Sequence, residues 1–158
     1  MYPTLDFPPI SCKYKQVNNN VYIFDRVRKK FIMLTPEEWV RQHLMGFLID
    51  FKNYPASLLR IESGLRYNKM MKRTDLTVYD RNGHPLIIFE CKSAEHNLDQ
   101  PDLMQLSVYG KSLKPHFLGL TNGLRHFIWK MNYNESRSSW VDGFPEYGEL
   151  ISAIGNMD

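Results

Sequence analysis

The chain has 158 residues, 43% of them hydrophobic and 23% charged, with 20 Lys and Arg against 17 Asp and Glu for a net charge of +3. Aromatics at 13% are too plentiful for a disordered tail, and the longest apolar runs, such as residues 86–89, fall far below the ~20 residues that span a bilayer. The first residues lack the basic start and apolar stretch of a secretory signal, and two cysteines, Cys12 and Cys91, give no disulfide framework, so a single domain in a reducing cytoplasm, away from membranes, is expected.

Residues 1–12 carry Pro3, Pro8 and Pro9 and read as an extended arm. Three asparagines at 18–20 separate two short apolar runs, which suggests a small hairpin and completes an N-terminal segment over 1–34. Thr35-Pro36-Glu37-Glu38 is a helix start, with a Thr cap, Pro in the first turn and two acids near the positive dipole end. Val40, Leu44, Phe47, Leu48 and Phe51 then recur at helical spacing, so a helix runs to about Asp50. After Tyr54-Pro55 the period changes to two: residues 59–62, 73–79 and 86–92 read as strands, the last two joined at Asn82-Gly83. Pro101 opens a second helix and Pro115 stops it. Residues 116–120 and 126–130 form two further strands, which closes a core over 35–130. A C-terminal extension over 131–158 holds a short helix from about Glu146 to Ile154. The expected class is α/β, a mixed sheet flanked by helices.

The chemistry concentrates in that central hairpin. A two-residue turn at Asn82-Gly83 sets Tyr79 opposite Leu86 and Asp75 opposite Glu90, with their Cβ atoms roughly 4.5–5.5 Å apart. Strand alternation puts Lys92 on the face of Glu90 and Cys91 on the other, where it reads as a small buried residue. Two facing carboxylates repel, and a divalent cation with a taste for hard oxygen ligands, Mg²⁺ or Mn²⁺, removes the conflict. A lysine beside them can orient or deprotonate a water and steady developing phosphate charge. Pro85 cannot donate in the ladder, so a wider loop or a bulge would shift this register. On composition alone, the same residues also fit a solvated cross-strand ion cluster.

A lone acid, a hairpin and then Glu-x-Lys resembles the PD-(D/E)xK nuclease superfamily. The chain is closer still to the N-terminal nuclease domain of type I restriction enzyme R subunits. The matching pieces are residues 34–42 (Leu-Thr-Pro-Glu-Glu-Trp-Val-Arg-Gln), 73–76 (Arg-Thr-Asp-Leu), 89–92 (Phe-Glu-Cys-Lys), 105–109 (Gln-Leu-Ser-Val-Tyr) and 120–123 (Leu-Thr-Asn-Gly), in the family's order. The resemblance implies a restriction-endonuclease-like fold and metal-dependent hydrolysis of DNA. Asp75 and Glu90 would be metal ligands, Lys92 the catalytic lysine, and Gln105 with Tyr109 a positioning or DNA-contacting pair. Thr74 stands where the superfamily has proline, and the chain ends before the motor that such subunits carry.

Related nucleases often turn a first-helix glutamate toward the metal. Helical phase puts Glu37 with Val40 and Leu44 and favours it over Glu38, with Glu62 a third candidate. Gly110-Lys111-Ser112 imitates the end of a phosphate loop but falls inside a helix, so no nucleotide is expected. Basic residues gather at 26–30 and at 66–73. The second group, with Lys69, Lys72 and Arg73, leads into Asp75 and reads as a loop beside DNA. Two functions stand: a Mg²⁺-dependent endonuclease served by a separate motor or specificity protein, or a non-catalytic, partner-dependent nucleic-acid-binding module on the same fold.

Overall fold

In this computed structural model, residues 1–67 and 70–155 are described, with side chains described outside 62–73. Three short strands come first: β1 (Tyr14–Val17), β2 (Asn20–Asp25) and β3 (Lys30–Met33) form an antiparallel sheet in that order. The expected hairpin is therefore part of a three-stranded sheet. Helix α1 (Pro36–Phe51) follows, and the Thr35 hydroxyl accepts the Glu38 N–H at 3.1 Å as its cap. A 3₁₀ turn at Ala56–Leu58 leads into β4 (Leu59–Tyr67), β5 (Met70–Tyr79) and β6 (Pro85–Cys91). Helix α2 (Gln100–Leu113) crosses to β7 (Phe117–Thr121), then β8 (His126–Asn132), β9 (Arg137–Val141) and α3 (Tyr147–Gly155) complete the order.

The main sheet has six strands in the order β4-β5-β6-β7-β8-β9. Among the described residues only β6 and β7 pair in parallel, because α2 carries the chain back over the sheet between them. Alternation assigns the two faces of β6. Ile87, Phe89 and Cys91 face a core shared with Val40, Leu44 and Leu48 of α1 and with Tyr147 and Leu150 of α3. Ile88 faces the other way, with Leu118 and Leu120, onto Leu106 and Tyr109 of α2. Close approach within the sheet requires a glycine at 119, where an added Cβ would lie 2.3 Å from the Phe89 ring. Among the described residues no helix is long and apolar enough to cross a membrane.

The β5–β6 turn departs from the sequence expectation. Tyr79 pairs with Pro85 rather than Leu86, and the turn spans Asp80 to His84. The pair that would close a two-residue turn, Arg81 with His84, does not form. Instead the Asp80 side chain accepts the N–H groups of Asn82 and His84 at 2.8 and 2.9 Å. A register shift between Val78 and Tyr79 absorbs the extra residue, so Leu76 meets Phe89 as the narrow turn would have had it. The segment leading into Asp75 is also not a loop: the β4–β5 ladder continues as far as Tyr67 opposite Met70. Lys69, and the side chains of Glu62, Lys72 and Arg73, lie outside the described residues.

The termini are tied to this frame. Leu5 is buried against Gly123, the Asp6 N–H donates to the Gly123 carbonyl at 2.7 Å, and the Trp39 indole donates to the Pro3 carbonyl at 2.9 Å. Strand β9 extends the sheet beyond the expected core, and the Tyr147 hydroxyl of α3 donates to the Tyr79 carbonyl at 3.1 Å.

Candidate active site

The ladder that pairs Leu76 with Phe89 sets Asp75 across from Glu90 one step further on, at the carboxyl end of β6. The Asp75 carboxylate is held at both oxygens: Oδ2 accepts the Cys91 N–H at 2.7 Å, and Oδ1 accepts Arg41 Nη2 at 3.0 Å. Glu90 is only 4% exposed, and among the described residues its Oε2 is buried without a hydrogen-bond partner. Its other oxygen lies 3.5 Å from Lys92 Nζ. Burial, and then the Asp75 charge, push the Glu90 carboxyl up to about 8, against the pull of Lys92.

Lys92 continues the strand, donating its N–H to the Thr121 carbonyl at 2.9 Å. Its ammonium also lies 3.7 Å from Asp102 and donates to Gln105 Oε1 at 3.4 Å. Burial pulls its pKa down, but Glu90, Asp102 and Glu37 outweigh that and hold it above the ordinary lysine value. Lys92 is therefore an ammonium at neutral pH, suited to orienting water and steadying anionic charge rather than taking a proton. One turn beyond Gln105, the buried Tyr109 hydroxyl is raised by burial, with Gln105 hydrogen-bonded to it and pulling the other way. The tripeptide Gly110-Lys111-Ser112 lies within α2 and forms no loop.

The two first-helix glutamates have exchanged places relative to the helical-phase argument. Glu38 is the buried one, accepting Arg28 at 2.6 Å, Arg41 at 2.9 Å and Gln42 at 2.9 Å. Phase counts apolar neighbours only, and here the buried side of the first turn is ionic. Glu37 is exposed, yet its charge reaches Lys92, so it borders the site with a carboxylate free of those ion pairs. Of the basic group at 26–30, Arg28 is tied inward to Asp25 and Glu38, whereas Arg26 makes an exposed pair with Asp50 at 2.7 Å and Lys29 and Lys30 are exposed.

Two residues at the site escaped the sequence reading. Arg41 lay unnoticed inside the 34–42 piece, although an Arg three residues after a Glu on a helix is a pairing signal. Asp102 forms half of the capping box of α2 with Asp99, and also accepts His96 at 2.7 Å. The loop between β6 and α2 is fastened by Asn122, whose amide donates to the His96 carbonyl at 2.9 Å while its oxygen accepts the N–H groups of Leu124 and Arg125.

Residues 36–145 match the family described as type I restriction enzyme R protein N terminus. The chain belongs to that family. The match contains α1, the β5–β6 hairpin, α2 and the Thr121-Asn122-Gly123 turn, hence every described residue around Asp75 and Glu90 except the β1–β3 sheet and the N-terminal arm. Among solved structures, this R-protein N-terminal domain is similar to a fragment described as an HsdR subunit of a type I restriction enzyme from Vibrio vulnificus YJ016, with a TM-score of 0.56 and 18% identity over 78% of the chain. The likeness shows the shared α/β fold, and the chain spans 26% of that protein's length. No curated protein matches the chain.

Proposed function

We propose that this R-protein N-terminal domain is a Mg²⁺- or Mn²⁺-dependent deoxyribonuclease, with Asp75 and Glu90 as the cation's protein ligands. The observation that carries the reading is the buried, unpartnered Oε2 of Glu90 beside the Asp75 carboxylate. A buried polar oxygen without a partner costs about 1–3 kcal/mol, and a carboxylate pair of this kind is a hard-oxygen donor set of the sort Mg²⁺ takes with one or two carboxylates and substrate phosphate. A bound cation would neutralise the pair and polarise a phosphate oxygen. The chain's own residues do the rest. Arg41 and the Cys91 N–H hold and aim the Asp75 carboxylate. Lys92, an ammonium at neutral pH, orients the attacking water and stabilises charge growing on the phosphate. Gln105 and Tyr109 hold Lys92 and the floor of the site, and Glu37 is the candidate for a further ligand or water contact. Lys69, Lys72 and Arg73 are proposed phosphate contacts.

The test is cleavage of plasmid, linear and branched DNA with Mg²⁺ or Mn²⁺, comparing wild type with Asp75→Asn and Lys92→Ala. Cleavage by wild type alone supports the nuclease. The match to the type I R-protein N-terminal family favours a second arrangement in which a motor or specificity subunit delivers the DNA. Wild-type protein that binds DNA and never cuts it, with Lys92→Ala changing only affinity, would establish the non-catalytic binding module instead.

A further inference from the structure

A continuous chain of buried ionic hydrogen bonds runs from the N-terminal sheet to Asp75. Asp25, at the end of β2 and fully buried, accepts Arg28 Nε and Gln42 Nε2, both at 2.8 Å. Arg28 Nη2 and Gln42 Nε2 then donate to Glu38 Oε1 at 2.6 and 2.9 Å. Glu38 Oε2 accepts Arg41 Nη1 at 2.9 Å, and Arg41 Nη2 donates to Asp75 Oδ1 at 3.0 Å. Asp25, Glu38, Arg41 and Gln42 are each no more than 5% exposed.

Such a chain is geometrically stiff. The guanidinium fork is planar, so fixing one nitrogen on Glu38 fixes the direction of the other toward Asp75. Glu38 is in turn fixed by two donors, one of them from the turn after β2. Asp75 is gripped between this fork and the Cys91 N–H, which leaves its carboxylate a single orientation toward Glu90.

We propose that Arg41 is a positioning residue for Asp75, and that the β1–β3 sheet, through Asp25 and Arg28, sets the orientation of Arg41. The N-terminal sheet thereby acts on the site although it lies outside the matched residues 36–145. The geometry stands by itself; its purpose rests on the nuclease reading, in which Asp75 is a cation ligand.

Two variants test it, each keeping the buried charge balance: Arg41→Lys, which loses the fork beside Asp75, and Arg28→Lys, which loses it one link away and touches no active-site carboxylate. The first readout needs no metal. The Cys91 amide proton, hydrogen-bonded to Asp75 Oδ2, should move upfield and exchange faster in both variants, more in Arg41→Lys, while amides on the far strands β8 and β9 stay in place. The second is Mn²⁺ binding in the absence of DNA, followed by the Mn²⁺ resonance signal. Loss of a partner that orients a ligand weakens metal affinity about 10- to 100-fold, so Arg41→Lys should bind Mn²⁺ at least tenfold more weakly, and Arg28→Lys in the same direction. A Cys91 amide that stays put in both variants, or a fall in melting temperature with amide and Mn²⁺ affinity unchanged, overturns the proposal. Tighter Mn²⁺ binding also overturns it, since Arg41 would then merely repel the cation. If the Cys91 amide responds but wild type and Asp75→Asn bind Mn²⁺ equally, the positioning holds and the nuclease reading fails.

Discussion

Glu90 is asked for two opposite things. Its burial favours the neutral carboxyl, whereas a cation needs the charged one. Because its folded pKa rises from 4.5 to about 8, the folded state holds a proton that the unfolded chain has released across that window. Stability from this group is therefore complete below about pH 4.5 and is lost as pH climbs toward 8. Without metal, the melting temperature should fall between pH 5 and 8, and Glu90→Gln should flatten that part of the profile. Mn²⁺ competes with the same proton, so its affinity should climb with pH up to about 8 and then level off. In the proposed nuclease Lys92 would act on the transition state, so Lys92→Ala should abolish cleavage on gels yet leave DNA affinity within a few-fold. The placement of Asp75, Glu90 and Lys92 was legible because strand alternation and a hairpin register are local arithmetic. Arg41 was not, since its partner Asp75 is 34 residues away and no periodicity of apolar residues reports an ion pair.

Among the elements, the β6–α2 connection borders the candidate site on irregular backbone. Asn122 of the β7–β8 turn, 5% exposed, fastens it with one hydrogen bond to the His96 carbonyl and makes two more within its own turn. Asn122→Ala should cost about 1–3 kcal/mol in urea unfolding, for three lost part-buried hydrogen bonds, and in the proposed nuclease should lower cleavage by loosening the loop beside Lys92 and Asp102. Gly119→Ala should cost about 1–3 kcal/mol by overpacking, because its Cβ would meet the Phe89 ring within a central strand. The starts of α1 and α2 were readable, the first from Thr35 and Pro36 and the second from Pro101. Strands β3 and β9 were not: each has four or five residues and a mostly exposed pattern without clean alternation. The β5–β6 turn was misread in its details and correct in its consequence, because the shift at Val78/Tyr79 cancels the longer loop before Asp75 is reached.

At the scale of the whole molecule, the first residues are structural. Leu5 is 7% exposed in the main core, so Leu5→Ala should cost about 2–3 kcal/mol by chemical denaturation, the low end for buried leucine. The same change opens space against Gly123, next to the turn that Asn122 organises. Nothing in an extended, proline-bearing arm announces this, because Gly123, against which Leu5 packs, lies more than a hundred residues along.

The single parallel pairing in the main sheet has a consequence for how the protein is made. Translation delivers the chain in order, and β6 emerges with its antiparallel partner β5 already beside it. Its other edge must wait for α2 and β7, since Glu90 and Cys91 pair with Leu120 and Thr121. Until those residues leave the ribosome, the most apolar strand of the domain presents an open rim of backbone donors and acceptors, the kind that pairs readily with strangers. Lys92, at the end of that rim, is seated only when Thr121 arrives. A nascent chain stalled before residue 117 emerges should thus carry the acids of the site beside an open β6 edge, while one in which Thr121 has emerged should have that edge paired.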